Sequence, residues 1–239
     1  AELDEVVRQI GDSGGGERIH GTVADVTDEA DCLRARDETL ERFGGLHVLV
    51  NNAGRGHKFI HDANPGVAMD FWTADSAAWK LIVDTNVNGP FLMAKAVTPH
   101  FLEQGFGRIV NVTVTEGTMQ KSRNSPYGSS KAALESQNLI WSKDLGGTGK
   151  NVTCNNLSPG GATLTGMVYE DYGDRKLNDP DIMGPPIVWL ASELSDGFNG
   201  ERFIAKDWDA SLPPTEAAKG AIGPVALTPP AEVQQVTQR

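Results

Sequence analysis

The sequence predicts a single α/β domain built on a parallel sheet covered on both faces, and three observations carry that prediction. Apolar strand-like runs alternate with helical segments along all 239 residues, the order that layered α/β folds require. The strand runs are short and nearly continuously apolar, as Leu46-His47-Val48-Leu49-Val50 shows, and strands buried on both faces read this way. The length suits one hydrophobic core, and no repeat or internal linker divides the chain.

The elements follow in order. Residues 2–10 read as the end of an amphipathic helix stopped by Gly11, and Arg18 to Val26 as a short strand ending at Asp25. Asp28 to Phe43 carries acidic residues in its first turn and ends at Gly44-Gly45, the signature of a helix. After the 46–50 strand, a longer helix is expected from about Ala77 to Gln104, then a strand at Arg108 to Val112. A helix from Tyr127 to about Leu145 ends at Gly146-Gly147, and Asn151 to Leu157 is the next strand, closed by Ser158-Pro159-Gly160. Ile187 to Leu194 reads as a helix and Glu201 to Ala205 as a final strand.

Composition narrows the function. The hydrophobic fraction of 39% and charged fraction of 22% are ordinary for a soluble protein. A net charge of −11 without a basic run argues against a nucleic-acid partner. No apolar run approaches the roughly 18 residues that span a bilayer, so no membrane partner is expected. No signal-peptide order is visible, although the chain opens on Ala1 rather than Met. Cys32 and Cys154 fit no metal-ligand spacing, and buried reduced thiols are the better reading. A cytoplasmic location and no metal are therefore expected. Asn111-Val112-Thr113 and Asn151-Val152-Thr153 match the glycosylation tripeptide but sit inside apolar strands, so both are read as chance matches.

In a parallel sheet, ligands bind outside the carboxyl ends of the strands. Three strand ends carry unusual polar or glycine sequence: Asn51-Asn52-Ala53-Gly54, Thr113-Val114-Thr115 and Ser158-Pro159-Gly160-Gly161. They should share one rim. Tyr127 and Lys131 stand four apart at the start of a helix, so both face one side. An ammonium beside a phenol favours the phenolate, and such a pair exchanges protons with an alcohol or carbonyl. Alone, that spacing is weak.

It is not alone. Asn51-Asn52-Ala53-Gly54, Asp84-Thr85-Asn86-Val87-Asn88-Gly89, Tyr127-Gly128-Ser129-Ser130-Lys131 and Pro159-Gly160, in this order, resemble the short-chain dehydrogenase/reductase family over roughly residues 1–207. The resemblance implies a Rossmann-like, doubly wound parallel sheet and an oxidoreductase using NAD or NADP. It implies Tyr127 as general acid/base, with Lys131 lowering its pKa and holding the nicotinamide ribose. Asn86 would hold a water linking Lys131 to solvent. Asn52, Ala53 and Gly54 would approach the adenosine side, and Asp25 and Val26 the adenine. Pro159, Gly160 and a hydroxyl at Thr163 or Thr165 would meet the carboxamide.

Two departures from the family pattern stand out. The family places a serine thirteen residues before the tyrosine to polarise the substrate carbonyl, and this chain has Val114 there. Thr115 is expected to take that role, with Thr113 and no hydroxyl at all as the alternatives. The family also begins with a strand, a glycine-rich phosphate loop and a helix. Gly14-Gly15-Gly16 follows a helix and precedes a strand, so it reads as a connector. The first βαβ part is thus expected to be missing, because the chain is a fragment of a longer enzyme or, less favoured, a natural short form. The strand at 46–50 should then have an unpaired edge.

The substrate region is expected after Gly160, from Gly166 to Gly184 with Met167, Tyr169 and Tyr172, and Phe59, Ile60, Phe71 and Trp72 form either a second wall or core. A small uncharged alcohol or ketone is the expected substrate. Helices 77–104 and 127–145 resemble the family's dimer interface and imply a homodimer or homotetramer. Residues 208–239 form a polar, proline-containing tail that packs across a subunit or stays disordered. The competing function is a non-catalytic member acting as a binding or assembly module, supported by Val114 and the absent phosphate loop. Epimerisation or dehydration on a nucleotide substrate ranks below both.

Overall fold

A computed structural model describes residues 2–56, 59–60, 69–167 and 176–225. Helix α1 (Glu2–Ile10) runs into a wide turn at Gly11–Gly15, where Gly14 takes φ +90°. Helix α2 (Glu29–Phe43) starts on Asp28, whose carboxylate accepts the Ala30 and Asp31 N–H groups, and stops at Gly44 in a left-handed conformation. Both ends follow the chemistry that caps helices.

Strand β1 (Val48–Asn51) precedes α3 (Ser76–Val83), a π-helical turn at Asp84–Asn88 and α4 (Gly89–Gln104). The helix expected at 77–104 thus runs on through a π-helical turn, and Asp84, Asn88 and Gly89 at its junctions keep right-handed helical angles. Pro90 follows in the first turn of α4. Strand β2 (Phe106–Val112), the short α5 (Glu116–Met119), α6 (Tyr127–Gly146) and β3 (Asn151–Ser158) follow. Helix α7 (Gly184–Leu190), β4 (Arg202–Ile204) and α8 (Pro214–Gly220) complete the described chain.

The four strands lie in the order β1-β2-β3-β4, all parallel. Leu49, Ile109 and Cys154 share a rung and meet Val97 and Phe101 of α4 and Leu145 of α6. On the other face Val110, Leu157 and Phe203 pack against Trp189 and Leu190 of α7 and Ala218 of α8. Helices thus cover both faces, and the fold is the expected doubly wound, Rossmann-like parallel sheet. Among the described residues β1 pairs only with β2, so its other edge is open, as expected.

The strand expected at Arg18 to Val26 does not form. Residues 19–25 pair with no strand among the described residues. Side chains of α2 take up the segment instead: Arg34 donates to the Val23 carbonyl at 2.8 Å, and Glu38 accepts the Thr22 hydroxyl at 2.6 Å. Without a ladder neighbour an apolar β-pattern has nothing to register against, and Val23 stays 80% exposed.

The segment after Trp208 is ordered against the core up to residue 225. Ala217, Ala218 and Ala221 are buried, the Ile204 N–H donates to the Ala221 carbonyl, and the Gly223 N–H donates to the Arg202 carbonyl, both at 2.8 Å. These small side chains fit closely where a large one would not. Residues 226–239 of the expected tail lie outside the described residues.

Candidate active site

The three polar strand ends share one rim. Asn51 pairs with Asn111 and Val112 with Leu157, so β1, β2 and β3 end side by side. One step below that rim, Asn51, Asn111 and Asn156 form a single rung that continues to Arg202 on β4. All four are nearly solvent-free. Asn51 donates to Asn111 Oδ1 at 2.8 Å, so the strand ends are joined by side chains as well as by the ladder.

Lys131 lies one turn along α6 from Tyr127. Its side chain is buried, and Nζ donates to the Val112 carbonyl at 2.8 Å. Burial alone pulls its pKa down to about 8, since desolvation disfavours the charged form. At neutral pH it remains mostly an ammonium. Tyr127 is half-buried at the first turn of α6. That turn is seated by Gly128, where a Cβ would come within 2.5 Å of the Met119 carbonyl oxygen.

Asn86 is fully buried in the π-turn. Its Oδ1 accepts the Arg55 N–H, and its Nδ2 donates to the Arg55 carbonyl and to Ser130 Oγ. Such turns inside helices often mark functional sites because they re-aim a side chain. A Cβ at Gly54 would stand 3.3 Å from Asn86 Oδ1, 3.5 Å from the Met167 methyl and 3.6 Å from Lys131 Nζ. Gly54, Asn86, Lys131 and Met167 are therefore brought together.

Thr113 and Thr115 have different surroundings. Thr113 is buried, and its hydroxyl donates to Glu135 Oε1 at 3.0 Å. Thr115 is half-buried at the N-terminus of α5, where Oγ1 accepts the Thr118 N–H and lies 2.8 Å from Thr118 Oγ1. Asn52 and Ala53 are exposed beyond β1. Val26 shares a small recess with Asn51, Ala53, Gly89 and Pro90. Asp25 is exposed, and its carboxylate accepts both the N–H and the hydroxyl of Thr27, which holds its pKa below the usual range.

Pro159 and Gly160 follow β3. Gly160 has φ +83°, and a Cβ there would run into Ile204 and Lys206. Thr163 donates to the Gly161 carbonyl at 3.3 Å and bridges to Asn178. Of the expected substrate walls, Ile60 is core against Met69 and Ile82, whereas Phe71 and Trp72 are exposed and meet edge to face at 5.1 Å. Tyr169 and Tyr172 lie outside the described residues.

Sequence reasoning passed over Arg55, Ser130, Glu135 and Arg202. Glu135, four residues after Lys131, was the legible signal: it extends the Tyr127/Lys131 face by one more turn.

The parallel sheet, wound on both faces and carrying a buried lysine and polar strand ends along its carboxyl rim, is the framework of a Rossmann-like oxidoreductase. A model of the short chain dehydrogenase family matches residues 1–176. The chain belongs to that family, whose enzymes are oxidoreductases using NAD or NADP. The match begins at residue 1 and does not bear out the expected N-terminal shortfall. A 3-alpha-(or 20-beta)-hydroxysteroid dehydrogenase of Mycobacterium bovis is 32% identical over 185 residues, spanning 75% of this chain and 66% of that protein. A short-chain dehydrogenase/reductase structure from Burkholderia xenovorans has a TM-score of 0.70 at 24% identity, covering 84% of this chain and 78% of that one. A variant of ElxO solved with NADPH bound has a TM-score of 0.69 at 22% identity, covering 84% and 83%. At these identities the two structures speak for the fold. No helix among the described residues is long and apolar enough to cross a membrane.

Proposed function

We propose that this chain interconverts an alcohol and a carbonyl, with Tyr127 as the general acid/base, Lys131 as its charged neighbour and Thr115 as the hydroxyl that polarises the substrate oxygen. The observation that carries the reading is the setting of Lys131. Its ammonium is buried, has three N–H donors and makes one hydrogen bond among the described residues, to Val112. The remaining donors call for acceptors, and a sugar's hydroxyls approaching past Gly54 would supply them. A side chain at Gly54 would instead crowd Asn86 Oδ1, the Met167 methyl and Lys131 Nζ.

A bound nicotinamide cofactor supplies or takes the hydride. The chain's own residues do the rest. Lys131 holds the ribose and favours the phenolate form of Tyr127, and Tyr127 passes the proton to or from the substrate oxygen. Asn86 fixes the Arg55 main chain and so keeps the Gly54 turn clear. Asn52, Ala53, Asp25 and Val26 accept the adenosine side across the recess at Val26. Pro159, Gly160 and Thr163 meet the carboxamide end. Thr113, with its hydroxyl on Glu135, is less suited to the substrate than Thr115.

An uncharged ketone or secondary alcohol suits a rim without a cluster of lysines and arginines, and the hydroxysteroid relative acts within that class. Exposed Phe91 on α4 and Ile140 on α6 support a homodimer or homotetramer through those helices. Two free, buried thiols support a reducing, cytoplasmic setting.

The test is a fluorescence titration of NADH and NADPH into the chain, followed by turnover of 2-butanone, cyclohexanone and ethyl acetoacetate. Cofactor binding with turnover that disappears in Tyr127→Phe is the expected result. Binding without turnover of any carbonyl would move the reading to a non-catalytic member of the family.

A further inference from the structure

Three consecutive residues at the exit of β2 are each held by a buried charged side chain. Lys131 donates to the Val112 carbonyl at 2.8 Å, Glu135 accepts the Thr113 hydroxyl at 3.0 Å, and Arg202 Nη2 donates to the Val114 carbonyl at 2.8 Å. Glu135 and Arg202 are paired, with Arg202 Nε 3.1 Å from Glu135 Oε1 and side-chain exposures of 2% and 0%. The other arm of the guanidinium, Nη1, donates to the Pro224 carbonyl and lies 3.6 Å from Glu116.

Burying such a pair is costly, because each ion gives up its water. Stability is therefore a poor reason for it, and what the pair does hold is geometry. Glu135 sits on the helix that carries Tyr127 and Lys131, on the same face, while Arg202 comes from β4. Together they grip the side chain of Thr113 and the backbone of Val114, and Thr115 is the next residue. A guanidinium suits this task because its planar fork addresses two carbonyls and a carboxylate at once.

We propose that Glu135 and Arg202 are positioning residues that, by holding Thr113 and the main chain of Val114, set the Thr115 hydroxyl against Tyr127. The proposal rests on the reading of Tyr127 and Thr115 given above. The pair acts through Thr115 and touches neither cofactor nor substrate.

Arg202→Met alone strands a buried carboxylate and is a poor test of anything but folding. Arg202→Lys and the double variant Glu135→Gln with Arg202→Met loosen the grip on Val114 without leaving a bare charge. With the carbonyl that the parent reduces fastest, both are expected to lose about 10- to 100-fold in kcat, the order of loss that a displacement near 1 Å causes. KM and the NADH dissociation constant should stay within about threefold, since neither contact is with ligand. Thr115→Val combined with Arg202→Lys should be no slower than Thr115→Val alone, the non-additivity of residues acting as a unit.

A folded Arg202→Lys with unchanged kcat overturns the proposal. So does a loss that adds in full to that of Thr115→Val, or a kcat and NADH affinity that fall in step with Tm. A parent that binds NADH and reduces none of the three carbonyls removes the underlying reading and this proposal with it. That failure shows in the parent, whereas failure of the proposal alone shows only in the variants.

Discussion

Asn86 holds the Arg55 main chain at both of its polar groups, accepting the N–H at 2.8 Å and donating to the carbonyl at 2.9 Å. Arg55 follows Gly54 directly, so a side chain in the π-helical turn fixes the turn that leaves β1. The third contact, Nδ2 to Ser130 Oγ at 2.9 Å, ties that turn to α6.

Asn86→Leu keeps the volume and removes all three bonds. Leaving the Arg55 groups without partners should cost about 2–3 kcal/mol. Urea unfolding measures the loss, and NADH titration should show weaker binding because the Gly54 turn is no longer held. An unchanged midpoint would mean that Arg55 finds other partners.

Lys131 makes a pH-dependent contribution whose sign is fixed by burial. Its folded pKa, about 8, lies below the 10.5 of the free group, so the unfolded chain binds more protons between those values. Stability from this residue therefore rises with pH through that window, and the full penalty applies below pH 8. Relative to Lys131→Met, the parent should gain about 3 kcal/mol between pH 7 and pH 10.5. Denaturant curves of both proteins across that range decide it, and a constant difference would sink the idea.

Gly128 and Gly117 should respond oppositely to alanine. A Cβ at Gly128 meets the Met119 carbonyl at 2.5 Å and that of Thr118 at 3.0 Å, while one at Gly117 meets nothing within 4 Å. Gly128→Ala should cost about 1–3 kcal/mol through overpacking, and it should also disturb turnover because the first turn of α6 carries Tyr127. Gly117→Ala should be neutral or stabilising by up to about 1 kcal/mol. Thermal melts of the two variants are the comparison.

Tyr127→Phe removes the proposed proton donor and leaves the ring. Turnover should fall by about 10²- to 10⁴-fold, the usual worth of a positioned acid or base. NADH affinity should hold within about threefold, as judged by fluorescence. A variant that keeps half the parent's rate would pass the proton-transfer role to another group.

Ala218 is fully buried against α7 and β4. Ala218→Asp puts a carboxylate into this buried apolar cluster, and should cost at least about 3 kcal/mol. Circular dichroism with temperature would show this. A small effect would mean that α8 is only loosely attached and that the core ends with β4.

The sequence by itself determined the order of elements, the parallel sheet and the rim on which the polar strand ends meet. Each follows from short-range rules: apolar runs of strand length, caps such as Asp28 and Gly44, and the four-residue spacing that puts Tyr127 and Lys131 on one face. The same rules failed at Arg18 to Val26, where the β-pattern was present and the neighbouring strand was not. Tertiary structure alone decided what each threonine meets. The Thr113 hydroxyl is buried on Glu135, while the half-buried Thr115 hydroxyl caps α5 and meets Thr118. The Asn51–Asn111–Asn156–Arg202 rung and the clasp of Asn86 on Arg55 were likewise decided there. These contacts join segments tens of residues apart, and strand register and helix packing, which only the assembled core sets, bring them within hydrogen-bond reach.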